Sequence, residues 1–164
     1  MIGGRLLRKI EMDWAKIAIA VTVARNHDPE LPHYQNLPDQ EIHERVLDLT
    51  RNLMEWIHTK DESRLAAHFE SLGRRRYAEQ IPLHEVIQKL TMIKRAIRTY
   101  ASEQHYFLTA AEIYNELELL RTMESYFDFV VIRVAKGYEE AMSENTDWDP
   151  GRFRLRGSRK LQTA

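Results

Sequence analysis

No cysteine occurs in the 164 residues, which excludes disulfides, thiolate nucleophiles and cysteine-ligated zinc and leaves histidine and carboxylates as the only metal ligands. Neither sign of charge prevails. With 24 Lys+Arg against 25 Asp+Glu, the net charge of -1 gives no global attraction to nucleic acid or to an anionic membrane, so neither is an expected partner. Apolar runs are short: the longest near the N-terminus, 17–24, is interrupted by Thr22 and falls far below the roughly 20 residues that span a bilayer. Glu11 and Asp13 precede it, which spoils a signal-peptide reading. A soluble cytoplasmic protein is the expectation.

Glycine and proline are scarce, at six and five residues, and between them apolar side chains recur at three- and four-residue spacing. Period-two alternation is nearly absent, so the chain reads as all-α: one bundle of about five to six helices. A first helix over 4–25 carries Leu6, Leu7, Ile10, Trp14, Ile17 and Val21 on one stripe. Three prolines break the pattern over 26–38 and predict an ordered or semi-ordered loop.

Pro38 opens a second helix, with Asp39 and Glu41 where negative charge suits a helix start. Asp61 caps a third, for which Gly73 offers either a left-handed stop or a point that a kinked helix passes through. A fourth begins at Pro82 with Leu83, Val86, Ile87, Leu90, Ile93, Ile97 and Tyr100 inward and Lys89, Lys94, Arg95 and Arg98 outside or at the edge. Thr109 and Glu112 form a capping box for a fifth that meets no proline before about Met142, some 50 Å if unbroken, with Gly137 as a possible bend. Residues 1–143 thus make one helical domain, and 144–164, with Arg152, Arg154, Arg156, Arg159 and Lys160 and little periodicity, a flexible basic tail.

No glycine-rich phosphate loop, nucleophile elbow or zinc-protease motif occurs, so no enzyme is expected. Glu55-x-x-His58 has the spacing used by di-iron bundles, but those need a second copy and two further glutamates, and His68 is the best haem ligand the chain offers. Structural use of these side chains is the expectation, with a haem- or di-iron-binding helical protein the competing class and no cofactor the reading preferred. Arg74, Arg75 and Arg76 form a cationic cluster for a partner or an anion, although salt bridging to Glu70, Glu79 or Glu85 accounts for it equally well. Three successive arginines cannot share one helix face, so one should turn inward or across an interface. The apolar circumference of 126–134 makes Tyr126, Phe127, Phe129, Val130 and Val134 candidates for a dimer interface.

Three segments, Leu31-Pro32-His33-Tyr34-Gln35-Asn36-Leu37-Pro38, Leu72-Gly73-Arg74-Arg75-Arg76 and Pro82-Leu83-His84-Glu85-Val86, resemble the N-terminal sensory domain of RsbR-type stress-signalling proteins, the RsbRD N-terminal family. The match runs over about 12–142. It implies a globin-like helical fold without haem, a homodimer, and a domain that receives an input signal and acts on a regulatory protein. In that family the domain precedes an output module; a chain of 164 residues leaves no room for one, so a free-standing adaptor or a fragment is expected.

Overall fold

In the computed structural model, which describes residues 4–104 and 109–145, helical periodicity becomes seven helices and the described residues contain no strand. They are α1 (Gly4–Met12), α2 (Trp14–His27), α3 (Pro32–Gln35), α4 (Asp39–Thr59), α5 (Glu62–Ala78), α6 (Leu83–Ser102) and α7 (Ala110–Glu144). The architecture is an all-α bundle with a long last helix. Thr109 and Glu112 make the capping box reciprocally, and Asp61 accepts from the Arg64 amide at the start of α5. Pro38 and Pro82 stand as N-caps one residue outside the helices they introduce. Of the tail, 146–164 lies outside the described residues.

Two more helices are present than the five read from spacing. The expected 4–25 helix divides at Asp13, whose carboxylate accepts the Tyr100 hydroxyl of α6 and pairs with Lys16 at 3.1 Å. That tether to a neighbouring helix turns the chain between α1 and α2. Inside the proline-rich connection, Pro32 supplies the preset φ for a single helical turn, α3, which buries Leu31 and Tyr34 in the core. Arg25, itself buried, holds this connection by donating to the carbonyls of Leu37 (2.8 Å) and Tyr34 (3.3 Å) and to Asp39 (2.5 Å).

The third helix does not stop at Gly73. It runs on to Ala78 and ends at Gln80, which takes a left-handed φ of 57°. Gly73 and Gly137 are instead the crossing point of α5 and α7. A Cβ on Gly73 would stand 2.0 Å from the Val134 carbonyl oxygen, and one on Gly137 1.9 Å from that of Glu70. The backbones therefore touch, and α7 passes Gly137 as continuous helix. Around the crossing, Glu70 pairs with Arg133 (3.2 Å) and Lys136 (3.0 Å), and Arg74 with Glu140 and Glu144 (both 2.8 Å). Against α4, Tyr126 donates its buried hydroxyl to the Leu49 carbonyl at 2.8 Å and lies within 6.0 Å of the Trp56 ring. No helix among the described residues is long and apolar enough to cross a membrane.

Candidate functional site

Three elements converge beside Tyr34. Helix α4 contributes Arg45 and Leu49, α5 contributes Leu72, Arg75 and Arg76, and α6 contributes Val86, Lys89, Leu90 and Ile93, enclosing a cleft of about 380 Å³. Its floor is mixed apolar and cationic. Lys89 is 3% exposed and Arg76 7%, although the sequence places Lys89 on the outer or edge face of its helix. That expectation is corrected: Lys89 stands three residues after Val86 and four before Ile93, a core position of the helical repeat.

The acids of the cleft sit at its mouth. The side chains of Glu41, Glu79 and Asp48 are 38%, 40% and 41% exposed, against 12% for Arg45 and 8% for Arg76. Glu41 pairs with Arg45, Glu79 with Arg76 at 2.7 Å, and Asp48 with His68 at 2.9 Å. Among the described residues Lys89 has no such partner. Its Nζ is buried without a hydrogen bond, as is Nη1 of Arg45. Both cations lie over the ring of Tyr34, at 5.2 Å and 5.5 Å from its centroid, where the π face offers partial compensation. Glu85, four residues before Lys89, is also buried, but it turns to His33, accepting from that residue's amide at 3.1 Å and meeting its ring nitrogen at 2.5 Å.

Electrostatics follow from that geometry. Burial, with Arg45, Arg25 and Arg76 adding to it, brings the Lys89 ammonium down to about 7. Burial pushes the Tyr34 phenol up to about 12. A lysine of this kind carries its charge firmly only when an anion is beside it. Such perturbed groups gather at functional sites more often than elsewhere.

The three arginines of the sequence cluster part company, as consecutive helical residues must. Arg74 spans to α7, Arg75 is exposed at the cleft mouth, and Arg76 turns into the cleft. Of the apolar candidates for a second subunit, Tyr126, Phe127, Val130 and Val134 are buried within the chain's own core, and Phe129 is half-buried against Trp56 at 4.8 Å. Exposed apolar side chains lie elsewhere: Met12, Ile19 and Val23 on the first two helices, Ile113, Tyr114 and Leu117 near the start of α7, and Ile132 farther along it.

Glu55 and His58 do not converge on a common point. Glu55 is taken by Arg64, and His58 bonds the Met54 carbonyl at 2.7 Å in its own helix. His68 bonds Asp48 and approaches Asn52 at 3.3 Å. Among the described residues no three histidine or carboxylate side chains are grouped as metal ligands. A larger groove of about 730 Å³ between α2 and α6, floored by Ile17, Ala20, Ala24 and Ala96, contains no buried polar atom without a partner.

Loop 31–38, the arginine turn of α5 and the start of α6 are distant in sequence yet share one wall: Tyr34, Leu72, Arg75, Arg76 and Val86 all line the cleft. The family model of the RsbT co-antagonist protein rsbRD N-terminal domain matches residues 17–149. The chain belongs to that family. As an RsbRD N-terminal domain it falls among stress-signalling regulatory domains. No curated protein and no solved structure is significantly similar to it. In this RsbRD N-terminal domain, the segments that carry the family resemblance contribute Tyr34, Leu72, Arg75, Arg76 and Val86 to the cleft, which α4 and the rest of α6 complete around Lys89.

Proposed function

We propose that the chain is a non-catalytic sensory domain of a cytoplasmic stress-response pathway, which homodimerises and passes on ligand or partner binding as a change in helix packing. The observation that carries this reading is the meeting of three family segments around a buried cation with no counterion, in a cleft bounded by three separate helices. An occupant of that cleft would contact α4, α5 and α6 together. It would thereby bias their relative positions, which is what an input must do to be felt elsewhere.

The exposed Ile113, Tyr114 and Leu117 on α7 support self-association through the first residues of that helix, with Met12, Ile19 and Val23 as the other apolar face available to it. Arg75 at the cleft mouth, the one member of the arginine cluster free of a carboxylate, suits a regulatory partner with an acidic surface.

Light scattering at micromolar concentration tests the dimer, and a monomer mass overturns it. Visible absorption and metal analysis of protein purified from metal-replete cells test the absence of a cofactor. A haem Soret band, or about two irons per chain as in di-iron bundles, overturns that part.

A further inference from the structure

We propose that the cleft between α4, α5 and α6 is a binding site for a small organic monoanion, with a carboxylate head against Lys89 Nζ and Arg45 Nη1 and a short apolar tail against Leu49, Leu72, Leu90 and Ile93. This rests on the sensory reading above and names the chemistry of its input.

Charge accounting selects a monoanion. Of the three inner cations of the cleft, Arg45 is matched by Glu41 and Arg76 by Glu79, which leaves Lys89 as the unmatched inner charge, while Arg75 stays exposed to solvent at the mouth. A buried ammonium without a counterion is strongly disfavoured, and one negative charge brought in from solution removes the defect. A doubly charged phosphate would be opposed more strongly than a monoanion by Glu41, Glu44, Asp48 and Glu79 around the same cleft.

Donor chemistry selects the head group. Two unsatisfied donors, an ammonium and one arm of a guanidinium, face an acceptor-only group with two oxygens, and the carboxylate is that group. The wall selects the tail. Leu49, Leu72, Leu90 and Ile93 are all buried core residues whose surfaces also line the cleft, so an alkyl or aromatic extension displaces water from apolar carbon. The volume suits a small molecule, in the range of ordinary ligand pockets of roughly 300 Å³ and more.

The test is calorimetric titration of the whole chain with sodium hexanoate, with hexanamide and inorganic phosphate alongside, on the wild type and on Lys89→Met. Methionine matches the lysine stem without the charge, so the variant folds and melts no lower than the wild type. Hexanoate should bind the wild type saturably, and Lys89→Met and hexanamide should each weaken binding roughly tenfold or more, the consequence of losing one charge-assisted hydrogen bond. At about pH 8, titration in buffers of different ionisation enthalpy should show proton uptake on binding, as Lys89 recharges beside the carboxylate.

Equal hexanoate affinity in wild type and Lys89→Met overturns the site, as does the absence of saturable hexanoate binding. Phosphate binding tighter than hexanoate overturns the ligand class. Light scattering on the same samples separates the two levels: a dimer that shows no hexanoate binding in the calorimeter removes this site and leaves the regulatory reading in place.

Discussion

Replacing Lys89 by methionine should stabilise the empty protein, and by an amount that depends on pH in a way no ordinary surface lysine would produce. Burial beside Arg45, Arg25 and Arg76 lowers the ammonium from its ordinary 10.5 to about 7. Between those values the unfolded chain holds a proton that the folded chain has released, so stability rises with pH across that window and is flat below it. For a lysine held at about 7 the penalty at neutral pH is about 4 kcal/mol, falling to about 2 kcal/mol near pH 9. Lys89→Met removes it. The groups that face Lys89 are Arg25 from α2, Tyr34 from α3, Glu41 and Arg45 from α4, and Arg76 and Glu79 from α5, while Glu85 of its own helix turns to His33. Urea unfolding of the two proteins near pH 7 and pH 9 measures the penalty: the variant should be the more stable at neutral pH, with the gap closing by about 2 kcal/mol at the higher pH. Parallel stabilities across the window, or a variant weaker than the wild type near pH 7, would mean that Lys89 has a partner and that the cleft lacks the defect assigned to it.

Gly73→Ala and Gly137→Ala should each destabilise by about 3 kcal/mol or more, because the new methyl meets backbone rather than a side chain that can move; thermal melting that showed the gain of up to about 1 kcal/mol normal for glycine to alanine within a helix would refute the crossing. Arg25→Met should lower stability by about 3 kcal/mol in urea unfolding and loosen loop 28–38, seen as faster amide exchange there, since Asp39 and two loop carbonyls lose their donor together. Leu117→Glu should convert a dimer to a monomer in light scattering with an unchanged helical circular dichroism spectrum; a persistent dimer would move the interface to Met12, Ile19 and Val23. Arg75→Ala should weaken partner or anion binding more than it lowers the melting temperature, whereas the reverse order would return that residue to a structural role.

Fold class, the capping box at Thr109, the Asp61 cap and the length of the last helix are legible in the sequence because each depends on residues within one or two turns. What the sequence did not disclose depends on contacts between distant segments. The break at Asp13 requires Tyr100, 87 residues away, and the turn of helix at Pro32 is held by Arg25 and Glu85. Gly73 illustrates the limit most sharply. A glycine late in a helical pattern reads as a stop or as a point that a kinked helix passes through, and only the arrival of a second glycine from α7 shows that both make room for backbone contact. The apolar band of 126–134 misleads for a related reason. Its breadth suggests a second subunit, yet α4, α5 and α6 all pack on α7, and Tyr126, Phe127, Val130 and Val134 are buried inside one chain.

The cleft was hidden by a habit of reading charge before position. Along α2, Ile17, Val21 and Arg25 step by four; along α5, Leu65, Phe69, Leu72 and Arg76 keep helical register; along α6, Val86, Lys89 and Ile93 do the same. Each charged residue occupies a core position of its stripe, and each is buried, at 2%, 7% and 3% exposure. Placing Lys89 at the outer or edge face because it is charged discards a local signal of the site, whereas the expectation that one arginine of the cluster turns inward is met by Arg76. Burying a cation is costly enough that a fold retains it only where something compensates. Arg25 has Asp39 and two loop carbonyls, and Arg76 has Glu79. Lys89 has an aromatic face and no anion, so in the same register that gives the other two structural roles it either releases its proton or takes a compensating group from outside the chain, and the proposed carboxylate is that group.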